Sequence, residues 1–97
     1  MQKFYEELLF FQGDEANEIL EFFEAHSVEE TIDYLCNWVC DGGEIRTEKP
    51  WGRSDNVFKT DDGYVLSVNS SIGYIGLCRI VDKDYVYYHK PQLLESN

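Results

Sequence analysis

Hydrophobic positions in this chain follow a helical rhythm up to Gly43 and an alternating one from Val57 onward. Phe4, Leu8 and Phe11 stand at i, i+4 and i+7, which predicts a helix over residues 3–11 stopped by Gly13, although so short and aromatic a run also suits a strand. Asp14 then offers an N-cap for a second helix over 15–26. There Ala16, Ile19, Leu20 and Phe23 share one face, Glu18 and Glu21 point the other way, and Glu15 and Glu24 flank them. The third helix has the clearest start. Ser27-Val28-Glu29-Glu30 is a capping box, in which the Ser27 hydroxyl accepts from the Glu30 amide and the Glu30 side chain reaches back. Val28, Ile32, Leu35 and Val39 make its apolar stripe, with Cys36 at the edge, and Leu35 and Val39 are predicted core. Glu29, Glu30 and Asp33 lie opposite, Tyr34 and Trp38 follow one another by a turn on the flank, and Asp41-Gly42-Gly43 ends the helix.

Residues 44–56, with Pro50, Trp51, Gly52 and Asn56, read as an irregular connection. Strands are predicted at Val57–Thr60, Tyr64–Asn69, Ile72–Val81 and Tyr85–His89, separated by Asp61-Asp62-Gly63, Asn69-Ser70-Ser71 and Asp82-Lys83-Asp84. Links this short imply antiparallel neighbours. The predicted fold is therefore α+β: two to three N-terminal helices packed on one face of a C-terminal four-stranded antiparallel β-meander. It is read as one domain over residues 1–97, with an acidic helical half (1–44), an antiparallel β half (45–90) and a fraying tail (91–97).

Composition supports a packed fold: 43% hydrophobic and 15% aromatic residues exclude charged, aromatic-poor disorder despite a net charge of −11. No apolar run approaches the roughly 20 residues of a membrane span, and no basic start precedes a secretory-type apolar stretch. The expectation is a cytoplasmic protein with no membrane partner. Cys36, Cys40 and Cys78 form no disulfide framework and read as reduced thiols. Their spacing, even with His26 or His89 added, is not a common zinc pattern, so packing is the simpler role and no metal or cofactor is expected. No nucleophile signature surrounds Cys78, Ser67 or Ser71, and a turn explains the Asp61–Asp62 carboxylates. Gly73-Tyr74-Ile75-Gly76 lacks the helix and Lys-Ser/Thr of a phosphate loop and suits a bend or close backbone approach in a strand. No catalytic residues are assigned, and the chain is not expected to be an enzyme. Tyr64, Tyr74, Tyr85, Tyr87 and Tyr88 could stack bases, but their half of the chain is neutral, which argues against direct nucleic-acid binding.

Charge is where the sequence points outward. The first 44 residues carry twelve acids against Lys3 alone, whereas the rest carry seven acids and seven bases. Residues 14–44 contain no Lys or Arg, although i, i+4 Glu–Lys pairs would have stabilised these helices. Glu15, Glu18, Glu21 and Glu24 place one charge per about 4.5 Å of helix axis, near the roughly 3.4 Å spacing along a DNA strand. The expected function is a small acidic binding protein that mimics the nucleic-acid backbone and occludes the basic surface of a nucleic-acid-binding protein. A restriction or CRISPR-type nuclease, or a nuclease toxin neutralised by its immunity protein, fits that description. In charge and size the chain is similar to such inhibitors as a class, and no motif ties it to a named family. Expected partner-binding residues are Glu15, Glu18, Glu21, Phe22, Glu24, Glu29, Glu30, Asp33, Tyr34 and Trp38, the aromatics serving as anchors. Trp38, about 95° from the centre of the apolar stripe, divides evenly between anchor and core. The competing expectation is an interaction subunit or adaptor with no nucleic-acid connection, binding an ordinary partner or a second copy of itself, its acids serving only solubility.

Overall fold

The computed structural model describes residues 3–39, 43–52 and 54–95 and contains a five-stranded, wholly antiparallel sheet. Strands β1 (Phe4–Gln12), β2 (Glu44–Arg46), β3 (Asn56–Lys59), β4 (Tyr64–Asn69) and β5 (Tyr74–Val81) lie in the order β2-β1-β5-β4-β3. Helices α1 (Asp14–Ala25) and α2 (Val28–Cys36) fall between β1 and β2 in sequence, and α3 (Lys83–His89) and α4 (Gln92–Glu95) follow β5. The α+β class holds, but the expected order, with N-terminal helices before a C-terminal four-stranded meander, does not. Only β3-β4-β5 is a meander.

Three misread segments account for the difference, one of them residues 44–46, expected as part of an irregular connection but forming edge strand β2 paired with β1. Residues 3–11, expected as a helix, belong to β1, which is paired on both sides. A bulge between Glu7 and Leu9 resets the strand's alternation. Phe4 and Glu6 before it, and Leu9 and Phe11 after it, thus share one face opposite Val81, Arg79, Leu77 and Ile75. The break in phase disguises a period of two as i, i+4, i+7. Residues 85–89, expected as a strand for their Tyr and Val content, are helical. Asp82 caps α3, its side chain accepting from the Tyr85 amide at 2.9 Å, and Val86 is buried while Tyr87 and Tyr88 project outward. Packing overrides β propensity here.

Smaller shifts concern helix ends. Gly13, not Asp14, is the N-cap of α1: its φ of 69° suits glycine, and its amide donates to the Gly73 carbonyl at 3.1 Å, joining the ends of β1 and β5. The capping box of α2 forms as read from the sequence, but α2 ends at Cys36, well before Gly43; Cys40, Asp41 and Gly42 lie outside the described residues. Residues 92–95 of the expected tail form α4, and residues 96–97 lie outside the described set.

One face of the sheet carries two apolar clusters. The larger joins Ala16, Ile19, Leu20, Ile32 and Leu35 of α1 and α2 to Leu66, Val68, Ile75 and Leu77 of the sheet, with Val28 half-buried beside them. The smaller joins Phe4, Ile45 and Val81 to Val86 of α3, with Leu93 and Leu94 of α4 packed against it. Between them stands a polar bridge. Glu6, only 1% exposed, accepts from Arg79 Nη2 at 2.6 Å and from the Tyr85 hydroxyl, and Arg79 also donates to Tyr85 Oη at 3.0 Å. On the opposite face, residues 47–52 and 54–55 belong to the connection from edge strand β2 to edge strand β3. Trp51 there meets Tyr5 edge-on at 5.2 Å, and Lys59 Nζ lies 5.8 Å from its ring centroid. Gly76 is a close approach, since a Cβ there would meet Tyr74 Oη at 3.1 Å and Ser67 Oγ at 3.2 Å. Among the described residues no helix is long and apolar enough to cross a membrane.

Candidate functional site

The outer surface of α1 and α2 gathers the residues singled out by charge. Burial of Ala16, Ile19 and Leu20 on one helix and of Thr31, Ile32 and Leu35 on the other turns their acids outward. Glu15, Glu18, Glu21, Glu24, Glu29, Glu30 and Asp33 are all exposed. Ion pairs among the described residues are Arg46–Glu7, Arg46–Glu44 and Arg79–Glu6, so none involves an acid of α1 or α2. Glu30 does have a local task. Its Oε1 accepts from the Ser27 amide at 3.0 Å, and its own amide donates to Ser27 Oγ at 3.1 Å. The hydrogen bond from the Ser27 backbone, then that from its side chain, holds the Glu30 carboxyl below its usual range.

The aromatic candidates meet in a ladder across the two helices. Phe22 of α1 stacks on Tyr34 of α2, with centroids 4.4 Å apart and planes 15° apart, and on His26 at 3.9 Å and 9°. Tyr34 then meets Trp38 at 6.0 Å with a tilt of 57°, and Trp38 meets Phe11 edge-on at 6.1 Å. Phe22 is thus the middle plate of a His26–Phe22–Tyr34 sandwich, while Trp38 is 51% exposed and belongs to the surface. His26 and Phe11 are members that the sequence reading missed. The i, i+4 spacing of Phe22 with His26 matches that of Tyr34 with Trp38, and this signal could have included His26. Phe11 reaches the ladder from the end of β1, a placement no local spacing reveals.

Other chemistry is inward or dispersed. The two histidines each use Nδ1 within one helical turn, His26 to the Phe22 carbonyl and His89 to the Tyr85 carbonyl, both at 2.9 Å. His89 ends a helix rather than the expected strand. Cys78 is buried, and burial followed by the charge of Glu7 pushes its thiol up to about 12, so it stays protonated. Cys36 is a half-buried free thiol beside Tyr64, whose hydroxyl is pushed up first by their hydrogen bond and then by burial. Among the described residues no group of three His, Cys, Asp or Glu side chains could hold a metal ion. A groove of about 760 Å³ at the β2 edge is lined by Arg46, Lys49 and Lys90 together with Glu7, Glu44 and Glu48, so its charges balance. Comparison with protein-family models, curated proteins and solved structures finds no match for this chain.

Proposed function

We propose that this chain is a non-enzymatic binding protein whose acidic α1–α2 face docks on the basic surface of a nucleic-acid-binding protein and occludes it as a mimic of the phosphate backbone. The observation that carries the reading is the aromatic ladder with the half-exposed Trp38, set in a surface of exposed carboxylates that no ion pair among the described residues neutralises. Complementary charge accelerates encounter with a basic partner, and a rigid aromatic anchor lengthens the life of the complex. A nuclease whose substrate channel is basic, either a defence enzyme or a toxin, is a partner of the right chemistry.

The test is capture of partners from lysate on immobilised protein, at low and high salt and with duplex DNA as competitor. Nucleic-acid-binding proteins should be retained, released by salt and displaced by DNA. The combined variant Glu18→Gln, Glu21→Gln, Glu29→Gln and Asp33→Asn should lose them severely while keeping its fold. A partner held equally well by that variant, at any salt, would instead mark an adaptor whose acids serve only solubility.

A further inference from the structure

We infer that a second copy of this chain pairs on the open edge of β3, the two β3 strands running antiparallel about a two-fold axis at Val57 to give a continuous ten-stranded sheet. The two edges of the sheet are not alike. At β2 the Ile45 carbonyl is occupied, accepting from Lys90 Nζ at 3.4 Å. At β3 the ladder is one-sided, with β4 as its neighbour. The Thr60 amide donates to the Tyr64 carbonyl at 2.9 Å, which fixes the phase of the β3–β4 pairing. Bonded and unbonded pairs alternate in an antiparallel ladder, so Phe58 opposite Leu66 turns its main-chain groups towards β4. Val57 and Lys59 therefore aim their N–H and C=O groups away from the sheet, and no loop amide or side chain among the described residues is bonded to them.

Charge selects the register. A two-fold axis can pass at Val57, Phe58 or Lys59 of this edge. An axis at Lys59 sets two ammonium groups side by side, and one at Phe58 sets each ammonium opposite a valine. An axis at Val57 joins the two Val57 main chains and lays Asp55 of each copy across from Lys59 of the other. Opposite charges directly across an antiparallel pair are favourable, and like charges are not. The approach to β3 is fixed, since the Ser54 amide donates to the Trp51 carbonyl and the Asp55 amide to the Val68 carbonyl, both at 3.1 Å. Lys59 Nζ lies 5.8 Å from the Trp51 ring centroid, and neither Asp55 nor Lys59 joins an ion pair among the described residues. A lysine alone would blunt this edge against its own copy; an acid four residues before it makes the edge self-complementary. Residues directly opposite share a sheet face, so both acidic α1–α2 faces come to one side of the ten-stranded sheet. Each chain carries a net charge of −11, so long-range repulsion opposes the pairing and salt relieves it.

Sedimentation velocity over a concentration series at physiological ionic strength tests this. The wild type should move towards twice the single-chain mass as concentration rises. Asp55→Lys and Lys59→Asp should each weaken association by about tenfold or more, because both cross-strand pairs become repulsive. An equimolar mixture of the two variants should dimerise again, each exchanged charge meeting its opposite, with the total charge of the wild-type dimer unchanged. Val57→Pro should abolish the dimer and keep the fold, since it removes an N–H that β4 does not use. If Val57→Pro fails to fold, the mixture of charge variants decides. A wild type at the single-chain mass throughout the series overturns the inference. So does a dimer that survives both charge variants, or a mixture no more associated than either variant alone.

Discussion

Replacing Arg79 by methionine tests the polar bridge that joins the two halves of the core. The substitution keeps the length of the stem and removes the guanidinium, leaving the Glu6 carboxylate, 1% exposed, with the Tyr85 hydroxyl as its remaining donor. Breaking a buried ion pair from one side costs about 3–5 kcal/mol, because the surviving charge is left uncompensated. The lower end applies here, about 3 kcal/mol, since the Arg79 side chain is 34% exposed and Tyr85 still donates to Glu6. For a domain near this size that corresponds to roughly 12–24 °C in melting temperature. Urea unfolding of the wild type, Arg79→Met and the double variant Glu6→Met/Arg79→Met measures it. The double variant buries no charge and should recover to within about 1 kcal/mol of wild type, the residue of the loss being the orphaned Tyr85 hydroxyl. An Arg79→Met protein within about 0.5 kcal/mol of wild type, or a double variant no more stable than the single one, would refute the argument.

Ser27→Ala should cost about 1 kcal/mol in chemical unfolding by opening the capping box of α2. The same substitution should weaken the acid-side dependence, because the native Glu30 carboxyl is depressed: its benefit is present above the unfolded pKa near 4.5 and lost as pH falls through the native value. Leu35→Ala, at a fully buried position of the larger cluster, should cost about 2–5 kcal/mol; an unchanged melting midpoint would remove Leu35 from the core. Cys78 should resist alkylation at pH 8 in the native protein and react in urea, with Cys36 the faster native thiol by peptide mapping. Its native value of about 12 against 9.0 unfolded also means stability held below about pH 9 and lost as pH climbs towards 12, visible as an alkaline fall in melting temperature.

What was legible in the sequence was whatever is decided locally. The capping box places the start of α2 to the residue, Asp61-Asp62-Gly63 separates β3 from β4 as expected, and β4 spans Tyr64–Asn69 as read. What was illegible depends on partners far along the chain. β1 is a strand because β5, some 70 residues away, and β2 pair with it, and its bulge erases the alternation that would have announced it. Glu6 was counted only as one of the twelve acids of the first 44 residues, whereas Arg79 and Tyr85, brought to it by the sheet and by α3, let it be buried. Asp82 was read as a turn residue and proved to be a cap, a distinction that rests on whether Val86 finds a core to enter. The acids of α1 and α2, by contrast, needed no partner to be placed correctly, since the helical period alone turned them outward.

Among the described residues, the structure thus divides the acids of the first 44 positions into two populations with different physical standing. Those on the strands are committed to the fold: Glu6 to Arg79 and Tyr85, and Glu7 and Glu44 to Arg46. Those on the helices, with Glu30 excepted for its cap, enter no ion pair among the described residues and repel one another at the spacing of a turn. A solubility role would be met equally by acids interspersed with lysines, which would also strengthen both helices. Carrying the repulsive arrangement makes physical sense where a cation arrives to relieve it, and the energy withheld from the free protein then appears as affinity for that cation's bearer. Neutralising Glu18, Glu21, Glu29 and Asp33 should therefore leave the fold as stable or more so while binding is lost, a pair of opposite signs that a purely structural set of acids would not produce.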